Sequence, residues 1–147
     1  TILRLYQVYG PRQDLNRLIP VVISNCLKNK KFDCSDGKQL RDFVYIDDVV
    51  KGLIKSLKNK NKKKIKGEII NLGSGRSIKV KKLILMIRDK IGKGSPEFGK
   101  IKLRQDEMSK IFPSISKSKK LLNWFPKISL NNGSKITIND YKNTKIN

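Results

Sequence analysis

Residues 37–49 read GKQLRDFVYIDDV. The spacing of apolar residues changes inside this stretch. Residues 40–45 predict an extended segment, and a helical spacing begins at Ile46. The apolar positions of that helix are Ile46, Val49, Val50, Leu53, Ile54 and Leu57, which share one face. Asp47 or Asp48 falls in the first helical turn, where a carboxylate caps free amides. The stretch therefore predicts a strand followed directly by an amphipathic helix.

The rest of the chain mixes strands and helices in the same way. Helical spacing is found over residues 18–27 and 80–91, and a final helix after Ser129 is predicted to turn Ile136 and Tyr141 inward. Predicted strands cover residues 2–6, a brief stretch around Phe32, residues 68–72 and residues 101–103. These strands are too few and too scattered for a complete sheet. The sequence thus predicts an α/β chain that forms part of a larger fold.

Composition excludes several classes of site. The 147 residues include no histidine, so a Ser-His-Asp triad, a Cys-His pair and a His-ligated metal site are impossible within the chain. The formal net charge of +22 suggests a nucleic-acid partner. Most of that charge is lysine, however, and the densest run, residues 58–64, contains no aromatic side chain for base stacking. A solvated lysine-rich surface is the favoured interpretation, and nucleic-acid binding stays as the alternative.

The cysteines and the apolar runs indicate the cellular compartment of the protein. Cys26 and Cys34 form no C-x-x-C pair, and two cysteines do not make a disulfide framework. The longest apolar run, residues 18–23, is too short to cross a bilayer. We expect a cytoplasmic protein without a membrane partner and without a metal.

Two short patterns allow competing interpretations. Gly73-Ser74-Gly75 lies between a strand and a helix, but the third glycine of a dinucleotide fingerprint is replaced by Ile78. A tight turn is therefore favoured over a phosphate cradle. An acid/base pair is a second possible interpretation, for Asp42, Asp47 and Asp48. Adjacent positions of a helix point to different sides, however, so helix capping is favoured over catalysis for these carboxylates.

Residues 37–49 resemble the signature of the extended short-chain dehydrogenase/reductase superfamily, the NAD(P)-dependent epimerases, dehydratases and reductases of nucleotide sugars. Four further segments agree with that family in the same order, namely residues 3–11, 16–20, 71–75 and 121–126. The resemblance implies the C-terminal part of a Rossmann-type nucleotide-sugar epimerase/dehydratase fold, mostly its small substrate-binding domain. Residues 1–14 would end the Rossmann portion. Residues 15–147 would form the mixed α/β substrate-binding portion, with residual Rossmann elements at about 40–75 and a basic linker at 58–66.

The resemblance also implies the binding residues. Arg41 and Arg104 would hold the pyrophosphate of a nucleotide-diphosphate sugar, because guanidinium forks donate paired charge-assisted hydrogen bonds. Glu107 would accept from the ribose hydroxyls. The further implied substrate contacts are Gln7, Arg17, Leu18, Phe32 and Cys34. Leu5, Tyr6 and Val8 would lie near the nicotinamide. The alternatives are an exposed ion pair of Arg41 with Asp42 and an idle surface cation at Arg104.

Two family motifs are missing from this sequence. It contains no G-x-x-G-x-x-G, and the Tyr-x-x-x-Lys spacing occurs only at Tyr141 and Lys145, in the wrong place in the motif order. No catalytic residue is therefore predicted, and the chain alone is expected to be inactive. The resemblance implies NAD or NADP as the cofactor of the intact enzyme, and a homodimer.

Overall fold

A computed structural model describes residues 1–144. Within that range the strands are β1 (Ile2–Leu5), β2 (Gln7–Tyr9), β3 (Lys31–Cys34), β4 (Leu40–Arg41), β5 (Phe43–Tyr45), β6 (Ile69–Leu72), β7 (Ile78–Lys79), β8 (Ser95–Phe98) and β9 (Lys110–Ile111). The helices are α1 (Leu18–Leu27), α2 (Ile46–Leu57), α3 (Lys62–Ile65), α4 (Val80–Ile91), α5 (Ser116–Leu122) and α6 (Leu130–Asn143). The predicted α/β class is confirmed.

The chain divides into two compact units, and each is assembled from three separate segments. Unit 1 contains residues 1–9, 42–77 and 111–130. Unit 2 contains residues 10–41 and 78–110 and the chain from residue 131 onward. Part of the stretch 37–49 therefore belongs to each unit, and the change of unit falls between Arg41 and Asp42.

Unit 1 is built on two pairs of parallel strands. Strand β1 pairs with β6, with Ile2 opposite Ile69, and β2 pairs with β5, with Gln7 opposite Phe43. The chain from β5 to β6 leads from the second pair to the first, and it contains α2 and α3. The apolar core of this unit consists of Val44, Val49, Ile65, Ile70, Leu72, Leu122 and Trp124.

Helix α2 has the predicted bounds but a different orientation from the one its apolar spacing suggests. Val49 is buried, whereas Val50, Leu53, Ile54 and Leu57 are exposed, Leu57 to 76%. The buried side of the helix is instead made by Val49 with Asp48 and Gly52. The reason is that a Cβ at Gly52 would approach Leu72 Cδ1 to 2.9 Å, so core side chains pack against the bare helix backbone there. Most of the apolar stripe of α2 is left uncovered within the described chain.

The predicted basic linker, residues 58–66, is not structureless. It contains α3, whose N-cap Asn61 accepts a hydrogen bond from the backbone N–H of Lys64 at 3.1 Å. Ile65 at the end of α3 is buried in the core of unit 1. The lysines are exposed, as expected, while one isoleucine anchors the segment.

Unit 2 is organised around the contact between α1 and α4. Both helices begin and end as the sequence predicts, and Pro20 lies in the first turn of α1, where its missing N–H costs nothing. Gly92 ends α4 in the left-handed conformation. Strand β3 pairs in parallel with β8, and β4 lies between β7, its antiparallel neighbour, and β9.

Two local predictions in this unit are wrong. Ile101 and Leu103 form no strand and are exposed, because the pairing partner of β3 is β8, which lies before them. In α6, Ile136 is exposed and the inward positions are Ile138 and Tyr141. The phenol of Tyr141 donates to the carbonyl of Gln13 at 2.6 Å, which fixes this rotation of the helix.

Across residues 1–144, none of the helices combines the length and the apolar character that spanning a bilayer requires.

Candidate functional site

The segment that leads to Arg41 is held by the first amides of α4. Lys81 N–H donates to the carbonyl of Gly37 at 2.9 Å, and Val80 N–H donates to that of Gln39 at 3.0 Å. Gly37 has φ of 66°, and a Cβ there would lie 2.7 Å from the backbone nitrogen of Lys81. Only glycine fits both the conformation and the space. Free helix amides are thus satisfied by the segment that leads into β4, the strand with the predicted pyrophosphate arginine.

The guanidinium of Arg41 is buried and occupied. Its side chain is 8% exposed, and Nη1 donates to the carbonyl of Leu40 at 2.8 Å. Nη2 pairs with Oε1 of Glu107, whose side chain is 30% exposed. The alternative interpretation of Arg41, an exposed ion pair with Asp42, is wrong. The structure brings together two of the predicted substrate-binding residues, although they are 66 positions apart in the chain.

A turn in the loop 99–109 sets the position of Glu107. Its N–H donates to the carbonyl of Arg104 at 3.1 Å, so Arg104 and Glu107 stand at the two ends of one turn. The end of the same loop is tied to β4, because Leu40 N–H donates to the carbonyl of Ser109 at 2.8 Å. The Arg104 side chain is exposed and forms no ion pair within residues 1–144. The turn therefore joins Arg104 to Glu107 through the backbone, while Arg41 contacts the Glu107 carboxylate.

The other predicted substrate-binding residues of unit 2 lie on α1 and β3. Arg17 is the N-cap residue of α1 and is exposed, and Leu18 begins that helix. Phe32 is half-buried in β3, and Cys34 is buried at its end. The pKa of the Cys34 thiol is raised by burial and by the nearby Asp33 carboxylate, and burial raises the pKa of Cys26 to about 11. Both thiols are therefore protonated and poor nucleophiles near neutral pH.

The predicted cofactor residues and Gln7 lie in unit 1, at the step between β1 and β2. Leu5 ends β1, and its side chain is exposed. Tyr6 N–H donates to the carbonyl of Leu72 at 3.1 Å, and Gln7 N–H donates to that of Asp42 at 3.2 Å. The backbone passes from one parallel pair to the other at this step. Seven of the eight predicted substrate residues belong to unit 2, and only Gln7 belongs to unit 1 with Leu5, Tyr6 and Val8.

Asp42 has a role that the sequence did not predict. It is fully buried, and its carboxylate accepts from Ser74 N–H at 2.7 Å, Ser74 Oγ at 2.9 Å and Arg76 N–H at 3.0 Å. Burial raises the pKa of this carboxyl group, while the bonds from Ser74 and Arg76 oppose the rise. The amides of the Gly73-Ser74-Gly75 turn thus face an internal carboxylate. This occupation explains why the turn is no phosphate cradle.

Asp48 is a second buried carboxylate with an unpredicted role. Oδ2 accepts from Lys127 N–H at 2.8 Å and from Ile128 N–H at 2.7 Å, and the backbone carbonyl of Asp48 accepts from Trp124 Nε1 at 2.8 Å. No side-chain cap closes the start of α2, so the predicted capping role of Asp47 or Asp48 is wrong. Asp48 instead fastens residues 124–128 to α2. The available signal was the co-occurrence, in one chain, of the D-D step at residues 47–48 and the L-x-W-x-P element at residues 122–126.

Comparison with known proteins assigns the family. The model of the NAD-dependent epimerase/dehydratase family matches residues 1–73 of the 147. A UDP-glucuronate 4-epimerase of Thermodesulfobacterium geofontis is 37% identical over 142 residues, covering 95% of this chain and 42% of the relative. The chain belongs to the NAD-dependent epimerase/dehydratase family. The resemblance of residues 37–49 to the extended short-chain dehydrogenase/reductases is thereby confirmed.

Further similar proteins show the same partial coverage. A CDP-abequose synthase of Salmonella muenchen is 34% identical, covering 90% of this chain and 45% of the relative. The crystal structure of UDP-glucuronic acid 4-epimerase from Bacillus cereus in complex with UDP-glucuronic acid and NAD superposes with a TM-score of 0.87. That protein is 34% identical, and the match covers 96% of this chain and 44% of the other. The predicted Rossmann-type epimerase/dehydratase fold is confirmed, and the chain spans less than half the length of these relatives.

Proposed function

We propose that this chain is the C-terminal, nucleotide-sugar-binding portion of an NAD(P)-dependent nucleotide-sugar epimerase, dehydratase or reductase. The observation that carries the proposal is the guanidinium of Arg41, which is buried in unit 2 and pairs with the predicted ribose ligand Glu107. A buried arginine beside a carboxylate suits a ligand that has both a diphosphate and vicinal hydroxyls. The enzymes named for the relatives act on nucleotide sugars, which supports the same class of ligand.

Substitution of Arg41 tests the proposal. Arg41→Ala is expected to weaken binding of a UDP-sugar to the 147-residue chain roughly 10- to 100-fold, because a charge-assisted bidentate contact to phosphate is lost. Isothermal titration calorimetry at physiological salt measures the change. Lys63→Ala removes the same charge from the exposed run on α3 and is expected to have no effect. Equal losses in the two variants, or no binding by the unaltered chain, would contradict the proposal.

The residues at the end of β1 fit a dinucleotide. In α/β folds ligands bind beyond the carboxyl ends of parallel strands, and Leu5 ends β1 beside the parallel strand β6 with its side chain exposed. Leu5, Tyr6 and Val8 would hold the nicotinamide end of NAD or NADP, which supplies the hydride acceptor when bound. The uncovered stripe of α2 and the exposed face of β1 support packing against a further part of such an enzyme.

Turnover gives a second test. We expect the 147-residue chain to bind nucleotide sugars without converting them, because its sequence contains neither a Tyr-x-x-x-Lys pair within the predicted motif order nor a glycine-rich fingerprint. Incubation with NAD(P) and a panel of nucleotide sugars, followed by chromatography of the products, measures this directly. Conversion above that of a heat-denatured sample would refute the assignment of catalysis to residues outside this chain.

The nucleic-acid alternative is not favoured by the family assignment. We further propose a homodimer and a cytoplasmic location for the intact enzyme, as the resemblance implies.

A further inference from the structure

The ion pair between Arg41 and Glu107 has a consequence for which ligands are accepted. A guanidinium grips an oxyanion through either of two edges, Nη1 with Nη2 or Nε with Nη2. Glu107 pairs with Nη2, which contributes one of its two N–H groups to each edge. An oxyanion that grips Arg41 through two nitrogens therefore lies beside the carboxylate at Nη2 or displaces it. In the first case the two anions repel each other, and in the second the carboxylate loses its partner.

Burial and hydrogen bonding decide which of the two side chains, Arg41 or Glu107, can move when a ligand binds. Arg41 is fixed by its own bond to the carbonyl of Leu40 and by burial, so it cannot swing away to meet a ligand elsewhere. Glu107 lies in the loop 99–109, all of whose residues are exposed, and its side chain is 30% exposed. Movement at this site is consequently easier for the carboxylate than for the guanidinium.

We infer that Glu107 is a specificity-determining residue, which makes the site select nucleoside diphosphates over inorganic pyrophosphate and other bare phosphates. This inference rests on the proposed function. A nucleoside diphosphate displaces Glu107 from Arg41 and offers the ribose hydroxyls as new donors to the carboxylate. Pyrophosphate displaces the same carboxylate and offers it nothing. Specificity arises here because pyrophosphate leaves the Glu107 carboxylate without a hydrogen-bond donor.

The role differs from a simple contact between Glu107 and ribose. A contact alone predicts that removal of the carboxylate weakens nucleotide binding and leaves pyrophosphate binding unchanged. Competition for Arg41 predicts that removal strengthens the binding of every phosphate ligand that lacks the hydroxyls. The two accounts therefore differ in the sign of the effect on pyrophosphate.

The test compares three ligands on two variants of the full chain. The ligands are UDP, 2′,3′-dideoxyuridine diphosphate and inorganic pyrophosphate. In Glu107→Gln we expect pyrophosphate and the dideoxy ligand to bind about 3- to 10-fold tighter, with UDP unchanged or weaker. Asp106→Asn removes the same charge from the same turn, where Asp106 forms no ion pair within residues 1–144, and is expected to leave all three affinities unchanged.

The outcomes separate this inference from the proposed function. If Glu107→Gln leaves pyrophosphate affinity unchanged or lowers it, the inference is overturned, whatever happens to UDP. Equal gains in Asp106→Asn also overturn it, since the effect would then be one of net charge. Arg41→Ala reports on the proposed function: if that variant binds UDP and pyrophosphate like the unaltered chain, the site itself has been misassigned.

Discussion

Trp124→Ala is expected to lower the free energy of unfolding by about 3–5 kcal/mol, the range for removing a large buried aromatic side chain. The indole is 2% exposed and lies in the core cluster with Val49, Leu72 and Leu122. Its Nε1 also donates to the carbonyl of Asp48 at 2.8 Å, so the substitution removes a buried hydrogen bond together with the packing. Urea unfolding followed by far-UV circular dichroism measures the loss.

A neighbouring aromatic residue provides the matched control. Phe125 follows Trp124 directly but is half exposed, and Phe125→Ala is expected to cost less than about 1 kcal/mol. Trp124→Phe keeps part of the volume and loses the hydrogen bond, so an intermediate loss is expected if Trp124→Ala fails to fold. Similar losses in Trp124→Ala and Phe125→Ala would show that the indole does not organise this core.

The L-x-W-x-P element thus has a structural explanation. Leu122 and Trp124 fill the core of unit 1, and the amides of Lys127 and Ile128 just beyond Pro126 bind the Asp48 carboxylate. The element therefore attaches the last segment of unit 1 to α2. The D-D step and the tryptophan are two halves of one contact, made across 76 positions of the chain.

Elements with strong periodicity could be predicted, because their signal is local. Helices α1, α2 and α4 have the predicted bounds, and Gly92 ends α4. The direction in which α2 faces could not be predicted, because its spacing shows an apolar stripe without showing what covers it. Gly52 decides the orientation by admitting Leu72 to the helix backbone, and a glycine in a helix gives no such signal by itself.

The candidate site was predictable in its members but not in its connections. The resemblance named Arg41 and Glu107 separately, and the two lie 66 positions apart, so no local pattern pairs them. Adjacency in the sequence offered Asp42 as a partner of Arg41 only as the alternative to the pyrophosphate role. The chain changes unit between these two residues, and each side chain finds its partners in its own unit. Tertiary context overrides adjacency here.

Asp42 is the first residue of unit 1 after this change of unit, and its substitution is expected to have the second large effect on stability. Asp42→Ala is expected to lower the free energy of unfolding by about 3 kcal/mol, because it removes a fully buried side chain that accepts three hydrogen bonds from Ser74 and Arg76. Ser74→Ala removes the hydroxyl with its contacts to Asp42 and Arg76, and it keeps both amide bonds to the carboxylate, so a smaller loss of about 1 kcal/mol is expected. Denaturant titration of the three proteins measures the difference. Equal stability of Asp42→Ala and the unaltered chain would contradict the role of this carboxylate.

The pH dependence of stability identifies the same group. Burial raises the pKa of Asp42 in the folded chain above that of the unfolded chain. The folded state then binds the proton more tightly than the unfolded state. The contribution of this protonation to the free energy of unfolding is complete below the unfolded pKa of about 3.9, and it is lost as the pH rises through the folded pKa. Asp42→Asn does not titrate and is expected to flatten that decline while lowering stability throughout. A decline that persists unchanged in Asp42→Asn would assign the titration to another carboxyl group.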